Sequence, residues 1–164
     1  MAKLILIGIP IGNPDDISIR SLNYLKEAKY LVAENPEGLD KLFETYGLEK
    51  NNKNIMYAHT WPKVLGDTAL VPDVMKILES GENVYMVSDA GMPGIADPGG
   101  GIISACIRNN IPIESTPGPS AVIAGATVTG CHDSFTFVGF MPKGDRVLNY
   151  ILKRFKDNFA PCIF

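Results

Sequence analysis

The sequence predicts an α/β protein built on a mainly parallel sheet with helices on both faces. Two observations carry that prediction. Short apolar runs alternate with segments of helical periodicity five times in succession, the pattern of a parallel sheet whose crossovers cover both of its faces. Each run also stops abruptly in a loop rich in Gly, Pro, Asn, Asp or Glu, and internal repeats and low-complexity tracts are absent.

The first strand is the apolar run at 4–7, ending in Gly8-Ile9-Pro10-Ile11-Gly12-Asn13-Pro14. This loop lacks the G-x-G-x-x-G fingerprint of dinucleotide sites. Asp16 or Ser18 can cap the next helix, in which Ile19, Leu22 and Leu25 recur at helical spacing. Residues 30–33 make a second strand running into Glu34-Asn35-Pro36, and Leu39, Leu42, Phe43 and Tyr46 mark a helix closed by Gly47. A third strand at 55–58 leads to His59-Thr60-Trp61-Pro62. Pro72 and Asp73 suit the first turn of a helix with Val74, Ile77 and Leu78 on its inner stripe. A fourth strand at 84–87 opens the longest loop, and Ile102, Ile103, Cys106 and Ile107 form the helix after it. Residues 111–113 read as a fifth strand, Thr116-Pro117-Gly118-Pro119 as its loop, and 120–129 as a helix of small residues.

Beyond this point the pattern changes. Residues 135–140 read as a sixth strand, 141–144 as a hinge, and Val147, Leu148, Ile151, Leu152 and Phe155 as the apolar stripe of an amphipathic helix. Residues 160–164 begin another strand. The expected organisation is therefore one α/β domain over 1–133 and the truncated start of a second α/β domain over 134–164.

At 164 residues the chain can bury a substantial core, and 46% apolar residues with a mean hydropathy of +0.08 exclude a disordered protein. A net charge of −3 provides no general attraction for nucleic acid. Cys106, Cys131 and Cys162 are odd in number and lack a C-x-x-C pair, which reads as reduced thiols and a cytoplasmic location. The N-terminal apolar run is too short for a signal peptide or a membrane span, and the scattered His and Cys residues make no metal-ligand pattern.

The stretch 88–99, Ser-Asp-Ala-Gly-Met-Pro-Gly-Ile-Ala-Asp-Pro-Gly, follows the fourth strand, where open α/β sheets bind their ligands. Pro93 and Pro98 cannot donate an N–H, and Asp89 and Asp97 bring negative charge with no Lys or Arg before Arg108. A phosphate site needs the opposite, clustered N–H groups and positive charge. The loop therefore suits a neutral or cationic ligand.

Residues 6–17, 88–99 and 117–121 (Pro-Gly-Pro-Ser-Ala) together resemble three signatures of the tetrapyrrole methylase superfamily. The branch most resembled is that of the small-subunit ribosomal RNA 2′-O-ribose cytidine methyltransferases, over about residues 3–142. The resemblance implies S-adenosylmethionine as methyl donor, whose sulfonium cation agrees with the charge of the central loop. It also implies that Asp89, Ala90, Gly91 and Met92 line the cofactor with Ser120 and Ala121, while Ile9 and Pro10 close one side. Taken singly, each of these Gly and Pro turns reads as a tight turn and nothing more; three at consecutive sheet ends favour a ligand.

A ribose hydroxyl needs a base or close electrostatic help to attack. Glu34, His59 and Asp97 are the candidates, each at a strand end or in the central loop, although caps and turns use the same residue types. The branch resembled carries an A-E-D-T-R-like segment where this chain has Ala33-Glu34-Asn35-Pro36-Glu37, and a Y-H-E-H-N-like segment where it has Tyr57-Ala58-His59-Thr60-Trp61. Cofactor binding is thus better supported than recognition of ribosomal RNA or of the small-subunit particle. The alternatives are methylation of a tetrapyrrole or another small acceptor, and a non-catalytic remnant serving as a binding or dimerisation module. The apolar final strand and the amphipathic helix predict a homodimer and an enzyme incomplete as a monomer.

Overall fold

The computed structural model describes residues 1–58, 66–131, 133–141, 143–155 and 162–163. Two compact units result, Met1–Pro119 and Ser120–Phe164. The first unit ends just before the small-residue helix.

In the first unit, β1 (Leu4–Leu6), β2 (Tyr30–Ala33), β3 (Asn54–Tyr57), β4 (Val84–Met86) and β5 (Ile113–Ser115) form one parallel sheet in the order β3-β2-β4-β1-β5. Leu4 lies in register with Val84 on one side and Ile113 on the other. The alternation of side chains along each strand then assigns the faces. Ile5, Ile7, Leu31, Tyr85 and Val87 pack against Leu25 of α1 (Ile19–Glu27) and Leu39 and Phe43 of α2 (Pro36–Thr45). Leu4, Val32, Val84 and Met86 pack against Val74 and Leu78 of α3 (Val71–Glu79) and Ile102 and Cys106 of α4 (Gly100–Arg108). Each such large side chain contributes roughly 1.5–3 kcal/mol on burial, so the two layers hold the sheet firmly.

Helix α1 begins at one of the two caps the sequence offers, and α2 begins at a cap the sequence reading did not single out. Ser18 accepts the Ser21 N–H at 3.0 Å and Asn35 accepts the Gly38 N–H at 2.9 Å, with Pro36 opening α2 behind it. Gly47 takes a left-handed φ of 59° after α2. Asp16 is not a cap; it ends a 3-10 turn, Pro14–Asp16.

Strand boundaries differ from the sequence reading; β1 and β4 each end one residue early, at Leu6 and Met86. β5 starts two residues late because Pro112 has no N–H for the ladder; its carbonyl accepts from Leu4 at 3.0 Å and regular pairing follows. β3 shifts one residue earlier, since the Asn54 N–H donates to the Lys29 carbonyl at 2.7 Å. The expected strand at 135–140 shrinks to β6 (Thr136–Phe137), interrupted by Gly139 at a φ of 85°.

The second unit contains α5 (Ala121–Val128), β6, α6 (Asp145–Phe155) and β7 (Cys162–Ile163), with β6 and β7 paired in parallel. Among the described residues, no helix is long and apolar enough to cross a membrane. Cys106 is a buried free thiol and Cys131 a half-buried one.

Candidate functional site

Neighbouring strands β4 and β1 send their chains to opposite faces of the sheet, because α1 packs on one layer and α4 on the other. That divergence is the topological switch point at which α/β sheets leave a crevice. Three loops meet beside it, those after β1, β4 and β5, and small residues let them approach closely. A Cβ on Gly8 would lie 2.7 Å from the Gly118 Cα and 2.5 Å from the Met92 Sδ, and one on Gly118 would lie 2.6 Å from the Gly8 Cα. Only glycine fits at either position. Ile9 and Gly91 exchange two backbone hydrogen bonds, of 2.9 and 3.2 Å, which fix the β1 loop to the β4 loop.

A run of hydroxyls braces this corner from below. The Gly8 N–H donates to Thr116 Oγ1 at 2.9 Å, Thr116 Oγ1 lies 3.0 Å from Ser21 Oγ, and Ser18 Oγ donates to Ser21 Oγ at 2.9 Å. Thr116 and Ser21 are fully buried. The cap of α1 is thereby tied to the loops after β1 and β5.

The other side of the site is acidic. Glu34 follows β2 directly, and its carboxylate accepts the Asp89 N–H at 3.0 Å. Asn35 donates its side-chain amide to the Asp89 carboxylate, which lies against Gly38 in the first turn of α2; a Cβ there would come 2.7 Å from the Asp89 Cγ. An anionic group at a helix N-terminus is electrostatically favoured. Burial pushes the Glu34 carboxyl above the ordinary carboxylate range, and the nearby Asp89 and Asp97 add to the rise against the opposing Asp89 N–H. Burial also raises Asp97, helped by Asp89 and opposed by a hydrogen bond from Ser88. The Ser88 hydroxyl is 2.9 Å from the Ala90 carbonyl as well, and its one proton serves only one acceptor at a time. The charges acting on Glu34 and Asp97 are thus all negative.

An open pocket of about 250 Å³ lies between the β1 loop and α2, bordered by Ile9, Pro10, Lys41, Leu42, Asp89 and Ala90. Tyr46 donates to the Pro14 carbonyl at 2.6 Å and ties the far end of α2 to that loop.

Of the residues singled out in the sequence, Ile9, Pro10, Asp89 and Ala90 border the pocket. Gly91 pairs with Ile9, and the Met92 sulfur packs at the Gly8–Gly118 approach. Glu34 and Asp97 come within electrostatic reach of each other, while His59 lies outside the described residues. Ser120 and Ala121 open the second unit: Ser120 caps α5, accepting the Ile123 N–H at 3.4 Å, and Ala121 is exposed. The sequence reading missed the α2 wall (Gly38, Lys41, Leu42) and the Ser21–Thr116 brace. Gly38 was the available signal, since glycine in the first turn of a helix marks a close approach. Among the described residues, no group of three His, Cys, Asp or Glu side chains could hold a metal ion.

The sequence and the fold both have parallels among known proteins. Residues 3–157 match the family model of the tetrapyrrole (corrin/porphyrin) methylases. The chain is 34% identical over its whole length to the ribosomal RNA small subunit methyltransferase I of Thermotoga maritima, spanning 71% of that protein. It is 37% identical over 86% of its length to the protein of the same name from a Hydrogenobaculum species, spanning 59% of it. Among solved structures, the methyltransferase CobJ superposes on 99% of the chain with a TM-score of 0.64 at 16% identity, with 66% of CobJ covered. The uroporphyrin-III-C-methyltransferase of Thermus thermophilus superposes on 79% of the chain, with a TM-score of 0.55, 19% identity and 53% of that chain covered. These two likenesses concern the fold. On the family match and the identity to its relatives, the chain belongs to the tetrapyrrole (corrin/porphyrin) methylase family.

Proposed function

We propose that this chain acts in S-adenosylmethionine-dependent methyl transfer to ribosomal RNA of the small subunit, as part of a 2′-O-ribose methyltransferase. The observation that carries the reading is the 34% identity over the whole chain to a ribosomal RNA small subunit methyltransferase I. The residues at the loop corner fit the donor. The central loop includes Pro93 and Pro98, which donate no N–H, and the charges around Glu34 and Asp97 are negative, which suits a sulfonium cation and not a phosphate.

When bound, S-adenosylmethionine supplies a methyl group already activated by its sulfonium. The chain's task is then to hold donor and acceptor at attack distance and to exclude water. The rigid backbone corner at Gly8, Gly91 and Gly118 gives a fixed floor for this. Glu34 and Asp97, whose carboxyls burial raises above their ordinary range, are the groups suited to receive a hydroxyl proton. Ser120 and Ala121 are assigned to the cofactor by motif resemblance alone. The chain spans 59% of the Hydrogenobaculum relative, and the homodimer and the cytoplasmic location belong to this proposal too.

Small ribosomal subunits incubated with the chain and methyl-labelled donor should acquire label in ribose. A panel of tetrapyrroles run in parallel should remain unlabelled. Label in the tetrapyrrole fraction alone would overturn the assignment of the acceptor.

A further inference from the structure

We propose that Asn35 is a positioning residue for the S-adenosylmethionine site: through one side chain it caps α2 and sets the direction of the Asp89 carboxylate. The inference rests on the methyltransferase reading above and names what holds the first residues of the central loop in place.

Asn35 stands between β2 and α2 with an extended backbone, φ −142° and ψ 163°. Its side-chain oxygen accepts the Gly38 N–H at 2.9 Å, and its side-chain amide donates to the Asp89 carboxylate. The amide group is planar, so once the helix engages the oxygen, the NH2 has one direction left. The reverse orientation would set the NH2 against the Gly38 N–H and the oxygen against the carboxylate. The helix start thereby aims the NH2, and Pro36, with its fixed φ, stiffens that start. Glu34, the residue before, accepts the Asp89 N–H at 3.0 Å. Two consecutive residues thus hold Asp89 at its backbone and at its side chain. Gly38 makes room for the carboxylate, since a Cβ there would lie 2.7 Å from the Asp89 Cγ.

Capping alone does not explain an Asn here. Ser, Thr or Asp offers an equivalent oxygen to a helix N-terminus. Among these caps only Asn adds an NH2, and the NH2 matters because a carboxylate faces it. An Asp at this position would cap as well and set a fourth acid against Asp89, with Glu34 and Asp97 already in electrostatic reach. The branch resembled carries Asp at this point with Arg two residues on, whereas this chain has Glu37 in place of the Arg. The cation on this part of α2 is Lys41, a turn further along beside the pocket. A neutral NH2 is therefore the means by which this chain holds Asp89.

The direction of Asp89 bears on the cofactor through the loop. Asp89 and Ala90 border the pocket, and the backbone continues into the Ile9–Gly91 pairing. A carboxylate released from α2 frees these residues to move, and a ligand seated on them loses its fit.

The test is calorimetric titration of the whole chain with S-adenosylmethionine and with S-adenosylhomocysteine, the demethylated product whose sulfur is uncharged. Parent, Asn35→Ser and Asn35→Asp are compared at pH 5 and pH 8, each variant as a ratio to the parent at the same pH. Asn35→Ser retains a cap and loses the NH2, and should bind both ligands about fivefold more weakly at either pH. Asn35→Asp should bind both about tenfold more weakly at pH 8. At pH 5 the facing carboxyls share a proton, whose O–H replaces the amide, and binding should return to within about twofold of the parent. A residue that only capped α2 would give parent-like binding in both variants at both pH values. Equal weakening of the two ligands is the mark of position, because a change of field alone acts on the sulfonium. Parent-like binding by either variant at pH 8, no recovery of Asn35→Asp at pH 5, or an effect confined to S-adenosylmethionine would overturn the proposal. A parent that binds neither ligand would overturn the methyltransferase reading and the positioning role with it. If the parent binds both and the variants match it, the positioning role alone fails.

Discussion

The two corners of the site in the first unit are built on opposite principles. At the β1–β5 corner, backbone packs on backbone: Gly8 meets Gly118, Met92 fills the remaining space, and the buried Ser21–Thr116 pair satisfies the Gly8 N–H. At the β2–β4 corner, side chains of one charge meet: Glu34 and Asp97 feel each other and Asp89, and the hydrogen bonds they receive come from neutral donors. The first corner derives its rigidity from shape and is insensitive to pH. The second gains a field from desolvated charge, at a cost in stability. A site for a cationic donor needs both, since a field acts at full strength only when its sources cannot move.

The largest effect should come from the first corner. Gly8→Ala places a Cβ against the Gly118 backbone, which cannot move aside as a flexible side chain would. The β1 and β5 loops should separate, and S-adenosylmethionine binding should fall at least tenfold while far-UV circular dichroism still reports a folded chain. Parent-like binding would show that the corner does not shape the site.

Thr116→Val should come next, and it separates bracing from packing. The methyl replaces the hydroxyl at nearly constant volume but leaves the Gly8 N–H without its acceptor and the Ser21 hydroxyl without its partner. An unsatisfied buried group costs about 1–3 kcal/mol, which urea denaturation resolves easily. Thr116→Ser retains the hydroxyl and should lose less than Thr116→Val. If the two lose equally, the deleted methyl or the local packing matters and the hydrogen bonds do not.

These two corners were unequally legible in the sequence. The strand runs, the Ser18 and Ser120 caps and the central loop's charge all sit within local windows, where periodicity and turn chemistry speak directly. The start of β5 was misplaced because apolar residues 111–113 carry the strand pattern while Pro112 removes the hydrogen bond that would begin it. The Ser21–Thr116 bond joins residues 95 apart, and a lone Ser and a lone Thr carry no pattern linking them. The pocket was invisible for a related reason. Lys41 and Leu42 read as one solvent-side and one core position of a helix, and only the fold brings that helix to the β1 loop. Helix α5 is the reverse case: its sequence contains no charged residue, yet Ile123 is 57% and Val128 84% exposed.

The smallest effect belongs to the acidic corner and is a pH dependence. Glu34 and Asp97 have folded-state pKa values raised above those of the unfolded chain. The folded state therefore holds more protons between the two values, and stability falls as pH rises through that window. The loss begins near the ordinary carboxylate values of 4.5 and 3.8 and is complete above the raised ones. Denaturation midpoints measured from pH 4 to pH 8 should decline less in a Glu34→Gln/Asp97→Asn double variant than in the parent. Identical slopes would mean that other groups set the pH dependence.

The measurement that tests the central claim most directly is calorimetric titration of the purified chain with S-adenosylmethionine, run on the parent and on the Glu34→Gln/Asp97→Asn variant. Saturable one-site binding is expected for the parent, weakened in the variant because the negative field at the sulfonium is reduced. A folded parent that binds no S-adenosylmethionine at millimolar ligand, or a variant that binds it more tightly than the parent, would contradict the account.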